Sequence, residues 1–224
     1  MNSLHGSNDE ARLATPKVYC TMNTVTMIDA YAGFETHVLE GCHVFYVGRL
    51  PSEFCADAAA FQVLWDLHPC DYHLIKMHGR LVETPRWQQA YGADYHYTGR
   101  TNTALPIPPI LEPLHNWARQ AIDERLNGLL LNWYDGTLGH SIRPHKDSTK
   151  NMVCGAAIVT FSLGEQRVFR LTHPKQKLKR DLPAEAGTVF IMPYETNKAW
   201  KHSVPKRARY RGGRISITPR AFQS

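Results

Sequence analysis

The chain has 224 residues, 43% of them apolar and 21% charged, with a formal net charge of +6. This is the balance of a globular protein long enough to bury a core and an internal pocket, and it excludes a disordered or low-complexity chain. The longest apolar runs, such as Gly128–Leu131 and Ala156–Leu163, fall far short of the ~20 residues of a membrane helix, so no membrane partner is expected.

Residues 1–42 show little periodicity and many small polar residues, and they read as a partly ordered extension. The first twelve residues lack a basic segment followed by an apolar one, so no secretory signal is expected. A first helix is predicted from Ser52 to about Leu67, opened by Pro51-Ser52 and closed by Pro69. Leu74–Pro108, rich in Tyr, His, Gly and Pro, reads as short strands and surface loops. A second helix is predicted over Pro109–Asn127, where Leu111, Leu114, Trp117, Ala118, Ala121, Ile122 and Leu126 recur at helical spacing before Gly128. From Leu129 onward come short β-type runs: Leu129–Tyr134, Ala157–Leu163, Val168–Leu171, Thr188–Met192 and Arg214–Thr218. Asp135-Gly136, Leu163-Gly164 and Gly212-Gly213 lie between them as turn signals. Strands following two helices predict an α+β domain, a jelly roll braced by helices on one side.

Charge divides along the chain. Residues 1–142 hold 9 basic and 15 acidic side chains, whereas residues 143–224 hold 17 and 5. The C-terminal excess gathers in Lys175–Arg180 and Lys201–Arg214, with Trp200 and Tyr210 in or beside the second cluster, and suggests a polyanion partner such as nucleic acid. The five cysteines, Cys20, Cys42, Cys55, Cys70 and Cys154, are odd in number and lack CxxC spacing. They suggest neither a disulfide framework nor a structural zinc site, and so a reducing compartment, cytoplasmic or nuclear. No oligomerisation signal is evident, and a monomer is expected.

Of the twelve histidines, His5, His37, His43, His68, His73 and His115 stand alone and read as surface or satisfied core residues. His145-Lys146-Asp147 differs. In an extended segment residues i and i+2 point to one side, so an imidazole and a carboxylate face a common metal, one ligand short of a two-His-one-carboxylate facial triad. His202 is the natural third ligand, with His173 and His140 as competitors. In Arg214-Ile-Ser-Ile-Thr-Pro-Arg220, alternation puts Arg214, Ser216, Thr218 and Arg220 on one side of a strand. Two guanidinium groups aimed into one barrel suit a dicarboxylate.

Taken in order, Asn132-x-Tyr134, His145-x-Asp147, His202 and Arg214-x5-Arg220 resemble the signature of the AlkB-type 2-oxoglutarate- and Fe(II)-dependent dioxygenases. Ser162-Leu-Gly-x-x-Arg167-x-Phe169 resembles that family's strand after the metal motif. Pro85-Arg86, Tyr91-Gly92 and Tyr95-His-Tyr-Thr-Gly99 resemble its nucleotide-recognition region. The resemblance covers about residues 44–222. It implies one domain over 43–224, with recognition loops and helices in 43–128 and a double-stranded β-helix catalytic core in 129–224. It implies His145, Asp147 and His202 as iron ligands, and Arg214, helped by Tyr134, on the distal carboxylate of 2-oxoglutarate. Asn132, Ser216 and Arg220 would complete the cosubstrate site. Tyr97 would stack on a flipped or single-stranded base, Arg86 would lie near the base pocket, and His78 would stand where duplex-repair relatives place a wedge. The implied activity is oxidative demethylation of N-alkylated bases in DNA or RNA, with O2 as cosubstrate and formaldehyde, succinate and CO2 as products.

The chain departs from the family pattern in places. Ser148-Thr149-Lys150 follow Asp147 where relatives carry acidic residues, and Ser216 and Pro219 replace residues common in the arginine strand. These departures touch the duplex-repair reading more than the oxygenase chemistry. The alternatives are the same chemistry on a protein side chain or small molecule, and a non-catalytic nucleic-acid-binding module.

Overall fold

In the computed structural model, which describes residues 19–21, 24–26, 31–77, 79–97 and 99–223, the β-rich texture becomes two antiparallel sheets packed face to face. In chain order the strands are β1 (Tyr19–Thr21), β2 (Thr24–Thr26), β3 (Glu35–Leu39), β4 (His43–Arg49), β5 (Leu74–Met77), β6 (Arg80–Glu83), β7 (Trp87–Tyr91), β8 (Tyr95–Tyr97) and β9 (Arg100–Asn102). They continue as β10 (Gly128–Asp135), β11 (Ile142–His145), β12 (Ile158–Gly164), β13 (Arg167–Thr172), β14 (Lys179–Ala184), β15 (Thr188–Met192), β16 (Lys201–Val204) and β17 (Gly213–Arg220). The helices are α1 (Ala58–Trp65), α2 (Glu112–Ala121) and α3 (Tyr194–Ala199). The major sheet runs β3-β4-β15-β12-β17-β10-β7 and the minor sheet β11-β16-β13-β14, while β5–β6 and β8–β9 form separate hairpins. This is the expected jelly-roll core.

Strand alternation builds the core. On β10, Leu129, Leu131 and Trp133 point outward with Phe161 of β12 and Ile215 and Ile217 of β17, and helices α1 and α2 cover them through Leu64, Leu114 and Ala118. The intervening Leu130 points into the gap between the sheets, where Phe45 and Phe190 meet Phe169 of the minor sheet. Both faces of the central strands are therefore buried, and polar residues on their inner face can only be tolerated around a cavity.

The helices are shorter than the sequence suggests. The span 52–67 breaks into a 3-10 turn at Ser52–Phe54 and α1, because the Asp57 side chain accepts the Ala60 N–H at 2.8 Å and caps a new start. Helix α2 begins after Pro108-Pro109 and ends at Ala121, where Asp123 accepts from the Arg125 backbone and guanidinium and turns the chain. The extension boundary read at residue 42 falls inside a hairpin, since β3 pairs with β4 at the edge of the major sheet. Strands β11, β14 and β16 carry no apolar run and escape a hydrophobicity reading. Cys42 is disulfide-bonded, a departure from the all-thiol expectation, whereas Cys55, Cys70 and Cys154 are free. Among the described residues no helix is long and apolar enough to cross a membrane.

Candidate active site

Strands β11 and β16 are neighbours in the minor sheet, and their register sets His145 directly opposite His202. The ring centroids lie 4.2 Å apart. Asp147, two residues beyond His145, turns its carboxylate onto the pair. Its Oδ1 lies 3.5 Å from His145 Nε2 and 3.8 Å from His202 Nε2. The ligand-type atoms of these three residues fall within 4.8 Å of one another. His145 Nδ1–H donates to the Arg143 carbonyl at 2.9 Å, which fixes the tautomer that leaves Nε2 free as a ligand. The ring of His202 stacks on Phe169 at 5.6 Å and 9°.

The two competing histidines are placed elsewhere. His140 accepts the Asp135 N–H at its Nδ1, meets the Tyr72 hydroxyl at its Nε2 and packs edge-on to Trp87, so it is a satisfied structural residue. His173 accepts the Gln176 N–H and packs edge-on to Trp200.

Asp147 is the best-anchored member. Its Oδ2 accepts a 2.6 Å bond from Arg220, and its own peptide is held by the side-chain amide of Asn197 on α3. The Asp147 N–H donates to Asn197 Oδ1 and the Asn197 amide donates to the Asp147 carbonyl, both at 3.0 Å. Burial alone would raise the Asp147 carboxyl, but Arg220, His202 and His145 outweigh it and hold it well below the ordinary carboxylate range. Burial, and then His145, push the His202 imidazole down to about 3. The cluster thus presents one carboxylate and a neutral His202 imidazole, the protonation states a divalent metal requires.

These groups line one side of a cavity between the sheets. The opposite wall is the inner face of β10 and β17, carrying Asn132, Tyr134, Arg214, Ser216 and Arg220. Register explains their convergence: Tyr134 lies opposite Arg214 and Asn132 opposite Ser216. Arg214 is fully buried, its Nε donates to Ser162 Oγ at 3.0 Å, and its guanidinium lies over the Tyr134 ring at 5.2 Å. Desolvation draws its pKa down to about 10. Its Nη1 and Nη2 are buried without a protein partner, as are Nε and Nη1 of Arg220. Buried guanidinium groups with unmatched N–H donors are costly unless an anion completes them. The cavity therefore fits a carboxylate-bearing molecule beside a two-His-one-carboxylate metal centre.

The substrate-side expectations divide. Tyr97, half-buried at the cavity, packs edge-on to His145 with centroids 6.1 Å apart and stacks on Tyr95. Arg86 is buried in the cavity wall, donating from Nε to Asn132 Oδ1 at 2.7 Å and from Nη2 to Gln88 Oε1 at 2.9 Å. His78 lies outside the described residues. The sequence reading missed Asn197, Tyr95 and Ser162 as contributors. Tyr95 packs its ring under the Arg220 guanidinium at 4.7 Å. Ser162 falls in a motif already singled out, but its place opposite Ser216 is set by a strand register that the sequence does not carry.

Comparison with known proteins agrees with this geometry. The human DNA oxidative demethylase ALKBH2 is 27% identical over 155 residues, 64% of this chain and 59% of that protein. The mouse protein of that name is 29% identical over 155 residues, 64% of each chain. The human alpha-ketoglutarate-dependent dioxygenase alkB homolog 3 is 29% identical over 148 residues, 61% of this chain and 51% of that one. The chain thus spans about three-fifths of the length of the curated relatives it matches. A solved structure of OsALKBH1 covers 85% of this chain and all of its own at a TM-score of 0.50 and 16% identity, a likeness of fold. The model of the 2OG-Fe(II) oxygenase superfamily matches residues 69–220, and with well over half the chain so accounted for, the protein belongs to that superfamily, as an AlkB-like member.

Proposed function

We propose that the protein is an Fe(II)- and 2-oxoglutarate-dependent dioxygenase that oxidatively demethylates N-alkylated bases in nucleic acid. The observation that carries the proposal is the meeting, in one cavity, of the His145–Asp147–His202 cluster with the unmatched donors of Arg214 and Arg220. His145 and His202 would hold the iron through Nε2 and Asp147 through Oδ1. Arg214 would receive the distal carboxylate of 2-oxoglutarate, with Ser162 fixing the guanidinium and Tyr134 packed against it. Ser216 and Asn132 would line the remainder of that molecule's site. When bound, the metal and 2-oxoglutarate activate O2, so that an N-methyl group is hydroxylated and leaves as formaldehyde while 2-oxoglutarate becomes succinate and CO2.

The chain's own residues supply position and charge. Arg220 occupies one oxygen of Asp147 and leaves the other for the metal, and it keeps the carboxylate ionised. Asn197 prevents the Asp147 peptide from rotating. Phe169 stacks on His202, fixes the plane of its ring and lines the cavity beside it. Tyr97 meets His145 at 75°, edge to face, so a base stacking there requires Tyr97 to turn. A base within a duplex cannot reach this depth, which implies a single-stranded or flipped substrate. The name of the ALKBH2 relatives, DNA oxidative demethylase, supports nucleic acid as the substrate class, as does the basic C-terminal segment.

The test is formaldehyde and succinate release with Fe(II), 2-oxoglutarate and single-stranded DNA or RNA carrying a panel of N-methylated bases, beside Asp147→Ala. Both products in step, lost in the variant, are the expected result. Succinate without formaldehyde would move the substrate to a protein side chain or small molecule. Neither product would leave a nucleic-acid-binding module.

A further inference from the structure

We propose that the cavity selects a neutral, carbonyl-bearing base of the N3-methylthymine or N3-methyluracil class over the cationic N-methylated adenines and cytosines, with Arg86 as the donor that reads the carbonyl. This inference rests on the nucleic-acid reading above.

Charge is the first ground. The cavity wall carries three guanidinium groups, Arg86, Arg214 and Arg220, and one carboxylate, Asp147, which is already paired with Arg220. Fe(II) and a 2-oxoglutarate dianion together add no net charge, so the loaded cavity keeps an excess of two positive charges. The groove on the far side of Tyr97 adds Arg100 and Lys150, again without a carboxylate, and Ser148 is the residue there that directly follows Asp147. A base bearing a fixed positive charge gives up its hydration on entry and finds no counter-charge in return.

Hydrogen-bonding type is the second ground. Arg86 is 5% exposed, and its two observed partners, Asn132 Oδ1 and Gln88 Oε1, are neutral carbonyl oxygens. Its charge is uncompensated, and a guanidinium has five N–H donors and no acceptor, so what completes it must accept. In N3-methylthymine and N3-methyluracil a carbonyl flanks the methylated nitrogen on both sides. In 1-methyladenine the methylated nitrogen lies between an amino group and a C–H and offers Arg86 no acceptor, whereas 3-methylcytosine has an amino group on one flank and a carbonyl on the other and can pair with Arg86 in one orientation only.

The experiment measures formaldehyde release from single-stranded oligonucleotides carrying 3-methylthymine, 3-methylcytosine or 1-methyladenine. It also measures affinity for the same oligonucleotides by fluorescence anisotropy with Mn(II) in place of iron. The expected result is a kcat/KM at least tenfold higher for 3-methylthymine, with an affinity order to match. Arg86→Gln should raise KM for 3-methylthymine at least fivefold and, because it removes one of the three positive charges, lower KM for the cationic bases, so that the preference narrows or reverses. Because Arg86 is buried and its variant can fail to fold, Ser148→Asp at a half-buried loop position is the second arm, and it should improve the cationic bases at least fivefold relative to 3-methylthymine. Faster turnover of 3-methylcytosine or 1-methyladenine by the unaltered protein overturns the inference and leaves the demethylase reading standing. Succinate without formaldehyde from every oligonucleotide overturns both.

Discussion

Replacing Asn197 by alanine isolates a contribution that touches neither metal nor cosubstrate. The Asn197 amide satisfies both polar groups of the Asp147 peptide, at 3.0 Å each, in a place where Asn197 is 1% and Asp147 5% exposed. Truncation leaves a buried N–H and a buried carbonyl without partners, at roughly 1–3 kcal/mol apiece less whatever an entering water restores. We expect a loss of about 2–4 kcal/mol, or on the order of 5–10 °C in Tm for a chain of this size. The second consequence is specific. With its peptide released, Asp147 no longer holds its Oδ1 between the two imidazoles, and loss of such supporting contacts weakens metal binding by about 10–100-fold. Calorimetric titration of the metal-free protein with Mn(II) or Co(II), paired with thermal unfolding, measures both. An Asn197→Ala protein that melts lower yet binds metal as tightly as the parent would refute the positioning role and reduce Asn197 to a core contact. Unchanged Tm and affinity would refute the hydrogen-bond accounting altogether.

Four further outcomes are expected. Arg220→Met removes the cation from a carboxylate that is 2% exposed in its side chain, so metal-free stability should fall by about 3–5 kcal/mol in urea unfolding. Arg214→Ala should weaken 2-oxoglutarate binding to the Mn(II)-loaded protein by about 10²–10³-fold, the loss of charge-assisted hydrogen bonds, and an unchanged Kd would exclude Arg214 as the anion site. Tyr97→Ala should weaken binding of a methylated single strand by ~1–3 kcal/mol while leaving 2-oxoglutarate affinity intact. The metal-free protein should lose stability as pH falls from 6.5 toward 3. His202 has its folded pKa lowered to about 3, so it stays neutral in the native state while the unfolded chain gains a proton near 6.5. The stabilisation is thus complete above 6.5 and amounts to about 2 kcal/mol lost by pH 5. Asp147, also depressed, adds a loss below its ordinary range. Urea titrations at pH 7.5 and 5 should show a smaller difference in His202→Phe.

What the sequence disclosed and what it hid follow one physical division. Strands with an apolar outer face, such as β12 and β17, announce themselves because Phe161, Ile215 and Ile217 must be buried under helices. The inner residues of β17 were legible by alternation alone, since any strand that buries Ile215 and Ile217 must turn Arg214, Ser216 and Arg220 the other way. Strands β11, β14 and β16 were not legible. β14 reads Lys-Arg-Asp-Leu-Pro-Ala and β11 contains a proline, and each is a strand only because a neighbour supplies the ladder. The opposition of His145 and His202 therefore could not be read from sequence, although the pairing of His145 with Asp147 could. Asn197 was invisible for a similar reason. Its partner is a peptide group rather than a side chain, and peptide groups carry no signature.

The site is also the joint between the two sheets. Asp147 lies two residues beyond the end of β11 in the minor sheet, and Arg220 ends β17 in the major sheet, so their 2.6 Å bond crosses the cavity. The metal position is built on the minor sheet and the anion position on the major sheet, with this one ion pair between them. Each ligand then completes charge on its own wall: the metal the Asp147 carboxylate, the anion the free donors of Arg214 and Arg220. Since one guanidinium serves both walls, the two binding events are energetically coupled. Metal should tighten 2-oxoglutarate and, by reciprocity, 2-oxoglutarate should tighten metal by the same factor. Because both bind only the folded chain, Tm should rise with either and rise furthest with both. In Arg220→Met, whose walls no longer share a charge, the two increments should become additive. Equal factors in the parent that vanish in the variant would locate the coupling in Arg220, whereas equal factors that persist would assign it to direct contact between metal and anion.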